Sequence, residues 1–226
     1  MSSIEPVKPL PSHTKLSYEE CYAKLILETL FPERYDDLSI SDRPDLRSVS
    51  DTVGIEVTSA TPPSKRESER LWYNMPHLTP QVAERNKERM AQLGVPYTGG
   101  IQAWPAITYP TGCFDASPFV NVIDTFATKL RKLNSGHYAE LKRYDLYIEA
   151  NWTLDEDLLP EILARTIKLN SMPKTFHFVY LACADGICSF DLAKKEFEVR
   201  KLTIEQYGIS MEARNLVERG EADDKT

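Results

Sequence analysis

The strongest constraint on the fold is a glutamate inside a short apolar, strand-like run, Gly54-Ile55-Glu56-Val57-Thr58. A second acidic residue lies eleven positions earlier, in the turn-like sequence Arg43-Pro44-Asp45-Leu46. If the two segments pair as a hairpin, Asp45 and Glu56 lie side by side. Two neighbouring carboxylates are hard oxygen ligands that suit Mg²⁺ or Mn²⁺. The sequence therefore predicts a hairpin that carries a divalent-metal site at Asp45 and Glu56.

These residues resemble the PD-(D/E)xK nuclease superfamily, which has the restriction-endonuclease-like fold. Pro44-Asp45 matches the PD of the motif, and Glu56 matches the second acid. The position of the motif lysine is Thr58, so the chain resembles a divergent member. The resemblance covers about residues 17–58 and, more loosely, 119–150. It implies metal-dependent hydrolysis of phosphodiester bonds with water as the nucleophile.

The composition is typical of a chain that folds around one core. With 226 residues, 42% of them hydrophobic and 27% charged, it can bury most of its apolar surface without disulfides or metal staples. No window approaches about eighteen consecutive apolar residues, so we expect no membrane partner. Residues 1–12 lack the basic-then-apolar order of a signal peptide, so the expected location is cytoplasmic.

Zinc has little support in this sequence, because the cysteines show no CxxC spacing and the histidines are scattered. These residues are Cys21, Cys113, Cys183, Cys188, His13, His77, His137 and His177. The net charge of -7 gives no overall attraction to nucleic acid. Binding of phosphates would therefore depend on the local field over a cleft.

The order of predicted elements indicates an α/β fold with a mixed central sheet flanked by helices. We expect one domain over 13–218, a helical and loop insertion at about 59–118, and flexible tails at 1–12 and 219–226. The predicted helices cover 17–30, 64–73, 79–93, 119–133, 155–170 and 204–218, and the strands 46–49, 53–58, 144–150, 175–182, 187–192 and 196–202. Residues 95–118 show no period and predict an irregular loop.

The first predicted helix carries a glutamate on its inward side. Ser17 is the expected N-cap, with Glu20 at the capping-box position. A projection at about 100° per residue places Glu19 on the side of Tyr22 and Ile26, while Glu20 points away. Glu19 would then reach a partner or a metal, or else water at the helix end. The family resemblance favours an auxiliary catalytic acid, because these nucleases often carry a glutamate on the first helix.

Lys129 is the best local substitute for the lysine that is replaced by Thr58. It lies about 20° from Val122 on the projection of the amphipathic helix 119–133, so its ammonium could reach the site while its stem covers the sheet. The neighbouring cations, which we predict to bind nucleic acid, are Arg131, Lys132, Lys142 and Arg143. The alternative is that all five basic residues form a solvated face.

Three functions remain open from the sequence. The first is a Mg²⁺- or Mn²⁺-dependent nuclease that acts on DNA, with Asp45, Glu56, Glu19 and Lys129 as catalytic residues. The second is a catalytically inactive module of the same fold that binds nucleic acid or a protein partner. The third is a small accessory protein whose acids are structural. A second copy of the chain also remains open as a partner.

Overall fold

The computed structural model describes residues 10, 14–50, 52–94, 118–136, 138–150, 152–203 and 205–223. The chain divides into two compact units, one formed by residues 12–60 and 118–226 and the other by residues 1–11 and 61–117. The irregular loop predicted for 95–118 lies outside the described residues except for Pro118, which begins a helix. No helix among the described residues is long and apolar enough to span a bilayer.

The larger unit is built on a seven-stranded sheet whose strands lie in chain order. The strands are β1 (Leu38–Ile40), β2 (Leu46–Ser48), β3 (Val53–Ser59), β4 (Arg143–Glu149), β5 (Phe176–Ala182), β6 (Gly186–Asp191) and β7 (Glu196–Lys201). The first three strands are antiparallel, β3, β4 and β5 are parallel, and β5 to β7 are antiparallel again. The predicted α/β class with a mixed sheet is therefore confirmed. The short strand β1 was missed, because three residues give no readable alternation.

Helices cover both faces of this sheet, as predicted. The described helices are α1 (Tyr18–Leu30), α2 (Pro63–Asn74), α3 (Pro80–Gln92), α4 (Pro118–Leu133), α5 (Leu159–Leu169) and α6 (Glu205–Asp223). On one face, Ile26 and Leu27 of α1 pack against Ile55 and Val57 of β3, and α6 packs against α1. The opposite face is covered by α4 and α5, whose apolar residues pack against β4, β5 and β6. Each face thus has its own apolar core.

Helix boundaries differ from the sequence prediction in three places. Helix α5 begins at Leu159 and not at 155, and a short 3-10 helix over Glu156–Leu158 precedes it. Helix α2 begins at Pro63 with Pro62 as its N-cap, so the predicted cap at Ser64 is wrong. Proline is favoured at the first helical position because its missing N–H would be unsatisfied there. Helix α6 continues to Asp223, so the first part of the expected tail from 219 onwards is helical.

The smaller unit contains α2 and α3, which contact each other through polar side chains. Asn86 Nδ2 donates a hydrogen bond to the Leu71 carbonyl over 3.4 Å. Arg89 Nε lies 2.8 Å from Glu67 Oε1. Helix α3 begins at Pro80 after Thr79, as the sequence predicts.

Gly54 of β3 allows the turn before β2 to lie directly on the sheet. A Cβ atom at this position would clash with Pro44 and would lie 2.6 Å from Leu141 Cδ1. The missing side chain therefore lets Pro44 contact the strand and brings the following Asp45 close to β3.

Gly54→Ala should destabilise the protein by about 1–3 kcal/mol, because overpacking forces the Pro44 turn and Leu141 away from β3. The matched control is Gly208→Ala, since a Cβ atom there meets nothing within 4 Å. Within helix α6 that change should stabilise by about 0.5–1 kcal/mol. Urea denaturation measures both changes, and equal stabilities of Gly54→Ala and the wild type would contradict the packing described here.

Candidate active site

The hairpin register places Asp45 beside Glu56. Leu46 pairs with Ile55 and Arg47 with Gly54, so one further antiparallel step brings Asp45 opposite Glu56. The Val57 amide donates a 2.7 Å hydrogen bond to Asp45 Oδ2, which fixes this carboxylate against β3. The two acids are thus neighbours on the hairpin, as the sequence predicts.

Glu56 is a buried carboxylate whose partner comes from helix α4. Its neighbours Ile55 and Val57 face α1, so strand alternation turns Glu56 toward α4. Only 3% of the residue is exposed. Lys129 Nζ donates to Glu56 Oε2 over 2.7 Å and to the Val57 carbonyl over 3.2 Å. The structure therefore places the Lys129 ammonium where the helix projection expects it.

The acid that α1 directs toward this cluster is Glu20, and the predicted inward position of Glu19 is wrong. Glu19 is exposed and accepts a 3.0 Å hydrogen bond from Ser17 Oγ. Glu20 lies three residues before the buried Ala23 and seven before the buried Leu27, on the same helix face.

The error came from the choice of apolar stripe. The projection uses the side of α1 that carries Tyr22, Ile26 and Leu30, of which only Ile26 is buried. Helix α1 packs against α6 as well as against the sheet, and Tyr18 Oη lies 2.7 Å from Ser210 Oγ of α6. A helix with two packing surfaces has a wider buried side than a projection onto one surface expects.

Tyr138 is a site residue that sequence reasoning missed. The carboxylate of Glu56 lies close enough to the Tyr138 hydroxyl to oppose its ionisation. Burial, followed by the charge of Glu56, raises the pKa of Tyr138 well above its usual value. The tyrosine lies in the connection between α4 and β4, where a single aromatic residue gives no periodic signal.

The three acids share one electrostatic environment. Burial, followed by the charge of Glu56, raises the pKa of Asp45. Burial, followed by the charge of Asp45, raises the pKa of Glu20 to about 7. Glu56 contributes to both shifts, while the Lys129 ammonium opposes both. The cluster therefore carries more negative charge than one ammonium neutralises, a condition that favours a bound cation.

The donor set fits a hard divalent ion with a small number of protein ligands. Among the described residues, no three Asp, Glu, His or Cys side chains are grouped so that they could hold a metal ion. Mg²⁺ is commonly bound by one or two carboxylates, with waters and substrate phosphates as its other ligands. Asp45 and Glu56 provide such a pair. Glu56 Oε2 and the Val57 carbonyl already bind a cationic group, the Lys129 ammonium.

The other predicted basic residues are not grouped around the acids. Arg131 bends back on its own helix and donates to the Ala127 carbonyl and Thr128 Oγ1, each over 3.2 Å. Lys132 and Lys142 are exposed. Arg143 is half-buried, and the interactions of its guanidinium are directed into the core.

Arg143 lies on the face of the sheet opposite Glu56, so the structure does not bring it together with the acids, and its binding of nucleic acid stays a prediction. Its Nε lies 2.9 Å from Oδ2 of Asp145, which is completely buried in β4. The same Asp145 accepts a hydrogen bond from the Tyr35 hydroxyl over 2.7 Å and one from the Phe178 amide over 3.0 Å. Arg143 thus satisfies a buried carboxylate on the α1 face of the sheet.

The structure brings Asp45, Glu56 and Lys129 together with two residues that were not assigned to the site, Glu20 and Tyr138. No protein-family model, curated protein or solved structure matches this chain. The function is therefore inferred from the site's own geometry and chemistry.

Glu20→Gln should remove a pH-dependent destabilisation. Because the pKa of Glu20 rises from 4.5 to about 7 on folding, the unfolded chain releases this proton first, and stability falls as pH rises between these values. The free energy of unfolding of the variant, measured by urea denaturation, should exceed that of the wild type by more at about pH 8 than at about pH 5. The exposed Glu19→Gln is the control, and an equal gain there would contradict the assignment.

The Glu56–Lys129 pair should show strong coupling in a double-mutant cycle. Lys129→Met leaves a buried carboxylate without its cation and should cost about 3 kcal/mol, while the double variant with Glu56→Gln should cost less than the sum of the single changes. The control is the exposed pair of Glu161 and Arg165 on α5, at 2.8 Å, whose cycle should give little coupling. Additive losses at Glu56 and Lys129, measured by urea denaturation, would contradict the buried ion pair.

Proposed function

We propose that this protein is a metal-dependent nuclease of the PD-(D/E)xK type that hydrolyses phosphodiester bonds in DNA. The observation that carries the proposal is the Lys129 ammonium, which contacts both Glu56 and the carbonyl of Val57. The second contact is to the residue directly before Thr58, the position at which the family motif has lysine. A lysine from helix α4 thus supplies the positive charge that the strand lacks.

The order of elements is consistent with this proposal. A helix, three antiparallel strands, a helix and a strand parallel to β3 occur in this order, with α2 and α3 between β3 and α4. We propose that this arrangement is a restriction-endonuclease-like core. The acids lie on its β2–β3 hairpin, as the family resemblance implies.

Asp45 and Glu56 would hold Mg²⁺ or Mn²⁺. When bound, such an ion activates water and stabilises the negative charge that develops on the phosphate. Asp45 is held in place by the Val57 amide, and Glu56 by Lys129. Because these hydrogen bonds fix both carboxylates before substrate binds, little reorganisation is required of the protein.

Lys129 and Glu20 have separate roles in this proposal. The Lys129 ammonium holds an attacking water by hydrogen bonding and opposes negative charge near the reacting phosphate. Glu20 replaces Glu19 as the auxiliary acid. Since the pKa of Glu20 is about 7, its carboxylate can accept a proton from water at neutral pH.

A binding module without catalytic activity is the second candidate. It is favoured by the hydrogen bond from Lys129 to Glu56 Oε2, because an ammonium in this position competes with a metal for the same oxygen. Cleavage with added metal separates the two functions, since only the nuclease requires Asp45 and Glu56 to hold an ion.

Asp45→Asn should abolish Mg²⁺- or Mn²⁺-dependent cleavage while preserving the fold, because it removes a ligand charge at nearly constant volume and relieves repulsion from Glu56. Cleavage is measured on linear and supercoiled DNA, and folding by circular dichroism. The solvent-exposed Asp124→Asn on α4 is the control and should retain activity. Normal cleavage by Asp45→Asn would exclude Asp45 as a metal ligand.

The same assay tests the lysine. Lys129→Ala should lower turnover on the order of 10²-fold, because one preorganised electrostatic contact is lost. Lys132→Ala, at an exposed position on the same helix, should cleave at nearly the wild-type rate. Equal rates for the two variants, measured where both are folded, would remove Lys129 from the mechanism. Absence of cleavage by the wild type with either metal would favour the binding module.

A further inference from the structure

Arg43 is an exposed cation two residues before Asp45. Its side chain is 61% exposed. Its carbonyl accepts hydrogen bonds from the Ala139 amide and from Arg47 Nη2, each over 3.4 Å. The backbone of the turn is therefore held by its neighbours while the guanidinium extends toward solvent.

The Arg43 guanidinium belongs to the electrostatic environment of the acids. Burial and the charge of Glu56 raise the pKa of Tyr138, whereas the charge of Arg43 lowers it. The Ala139 amide, next to Tyr138 in the chain, donates to the Arg43 carbonyl. The exposed cation therefore lies on the rim of the site, beside the segment that carries Tyr138 and two residues before Asp45.

The acid beside Arg43 leaves its guanidinium accessible. Asp42 Oδ1 lies 3.7 Å from Arg43 Nε, and both side chains face water. An exposed ion pair of this kind contributes little free energy, so a phosphate can replace the carboxylate. Arginine also presents a planar fork of donors that matches two phosphate oxygens.

The cations on helix α4 are less well placed for this role. Arg131 follows Lys129 by two residues, which corresponds to about 200° around the helix. Since Lys129 contacts Glu56, Arg131 points away from the acids and donates to its own helix. A nucleic-acid strand at Asp45 and Glu56 would meet Arg43 before it met Arg131.

We propose that Arg43 binds a backbone phosphate of the nucleic-acid substrate next to the cleaved bond and so positions the strand over Asp45 and Glu56. This inference rests on the proposed nuclease function and specifies how the same site holds its substrate. An anionic strand that approaches three carboxylates needs a cation on the rim, and Arg43 supplies one within two residues of Asp45.

The test measures DNA binding without metal, so that binding and cleavage are separated. Fluorescence anisotropy with a labelled oligonucleotide, in EDTA and over a range of salt concentrations, gives the slope of log K against log salt. Arg43→Asn is the main variant, because the residue has a φ of 54° and asparagine tolerates this left-handed region. Arg43→Lys keeps the charge, Asp42→Asn removes the competing acid, and Arg131→Ala is the matched control.

Loss of one phosphate contact should reduce the magnitude of the slope by about 0.9 for duplex DNA or about 0.7 for a single strand. Arg43→Asn should show this reduction, whereas Arg43→Lys and Arg131→Ala should keep the wild-type slope. Asp42→Asn should bind more tightly than the wild type. Whichever DNA form shows the reduced slope identifies the strandedness that Arg43 contacts.

A wild-type slope for Arg43→Asn, together with a reduced slope for Arg131→Ala, would overturn the inference and leave the nuclease proposal standing. Wild-type DNA cleavage combined with unchanged binding by Arg43→Asn would have the same meaning. Neither binding nor cleavage by the wild type would overturn both proposals. Binding with the predicted slopes but without cleavage would support Arg43 as a phosphate contact and contradict only the catalytic function.

Discussion

The arrangement of the site depends on one buried carboxylate and the cation that neutralises it. Glu56 lies on the α4 side of β3, where the neighbouring strands β4 and β5 present an apolar core to α4. An ionised carboxylate in such a place is costly unless it is paired and hydrogen-bonded. Lys129 provides that pairing and fixes the position of α4 over β3. Glu56, the buried acid of β3, thus also determines that Lys129 of α4 lies above this strand.

The sheet carries a second buried carboxylate, and the contrast between the two explains where chemistry is possible. Asp145 uses both oxygens to accept hydrogen bonds from Tyr35, Arg143 and the Phe178 amide. It is enclosed by the α1-face core and acts as a structural acid. Glu56 is next to Asp45, whose pKa is raised by burial and by the Glu56 charge. Burial raises the pKa of Asp145 too, but Arg143, Tyr35 and the Phe178 amide oppose that rise. Of these two sites, the hairpin acids are the one at which carboxylates repel each other, so a cation bound there would stabilise the folded protein.

In the proposed nuclease, one chain position replaces another. The side chain of Thr58 carries no charge, and the ammonium found near this position comes from α4, which follows β3 by more than fifty residues. What matters for electrostatic stabilisation is the location of the charge and not the element that carries it. The phosphate contact proposed for Arg43 would be a further example, because this residue precedes Asp45 on the hairpin and lies far in sequence from the basic run after Lys129.

The sequence by itself determined the α/β class, the hairpin that joins Asp45 to Glu56, and the helix that directs Lys129 at Glu56. These features follow from alternation along strands and from the helical period, both of which are local. Only the tertiary structure decided that Glu20 and not Glu19 faces the acids, since α1 packs against α6 as well as the sheet. It also decided that Tyr138 lies close to Glu56 and that Arg143 turns to the α1 face of the sheet to pair with Asp145. These partners are fixed by packing between elements and by the requirement to satisfy buried charge, which a local sequence pattern does not record.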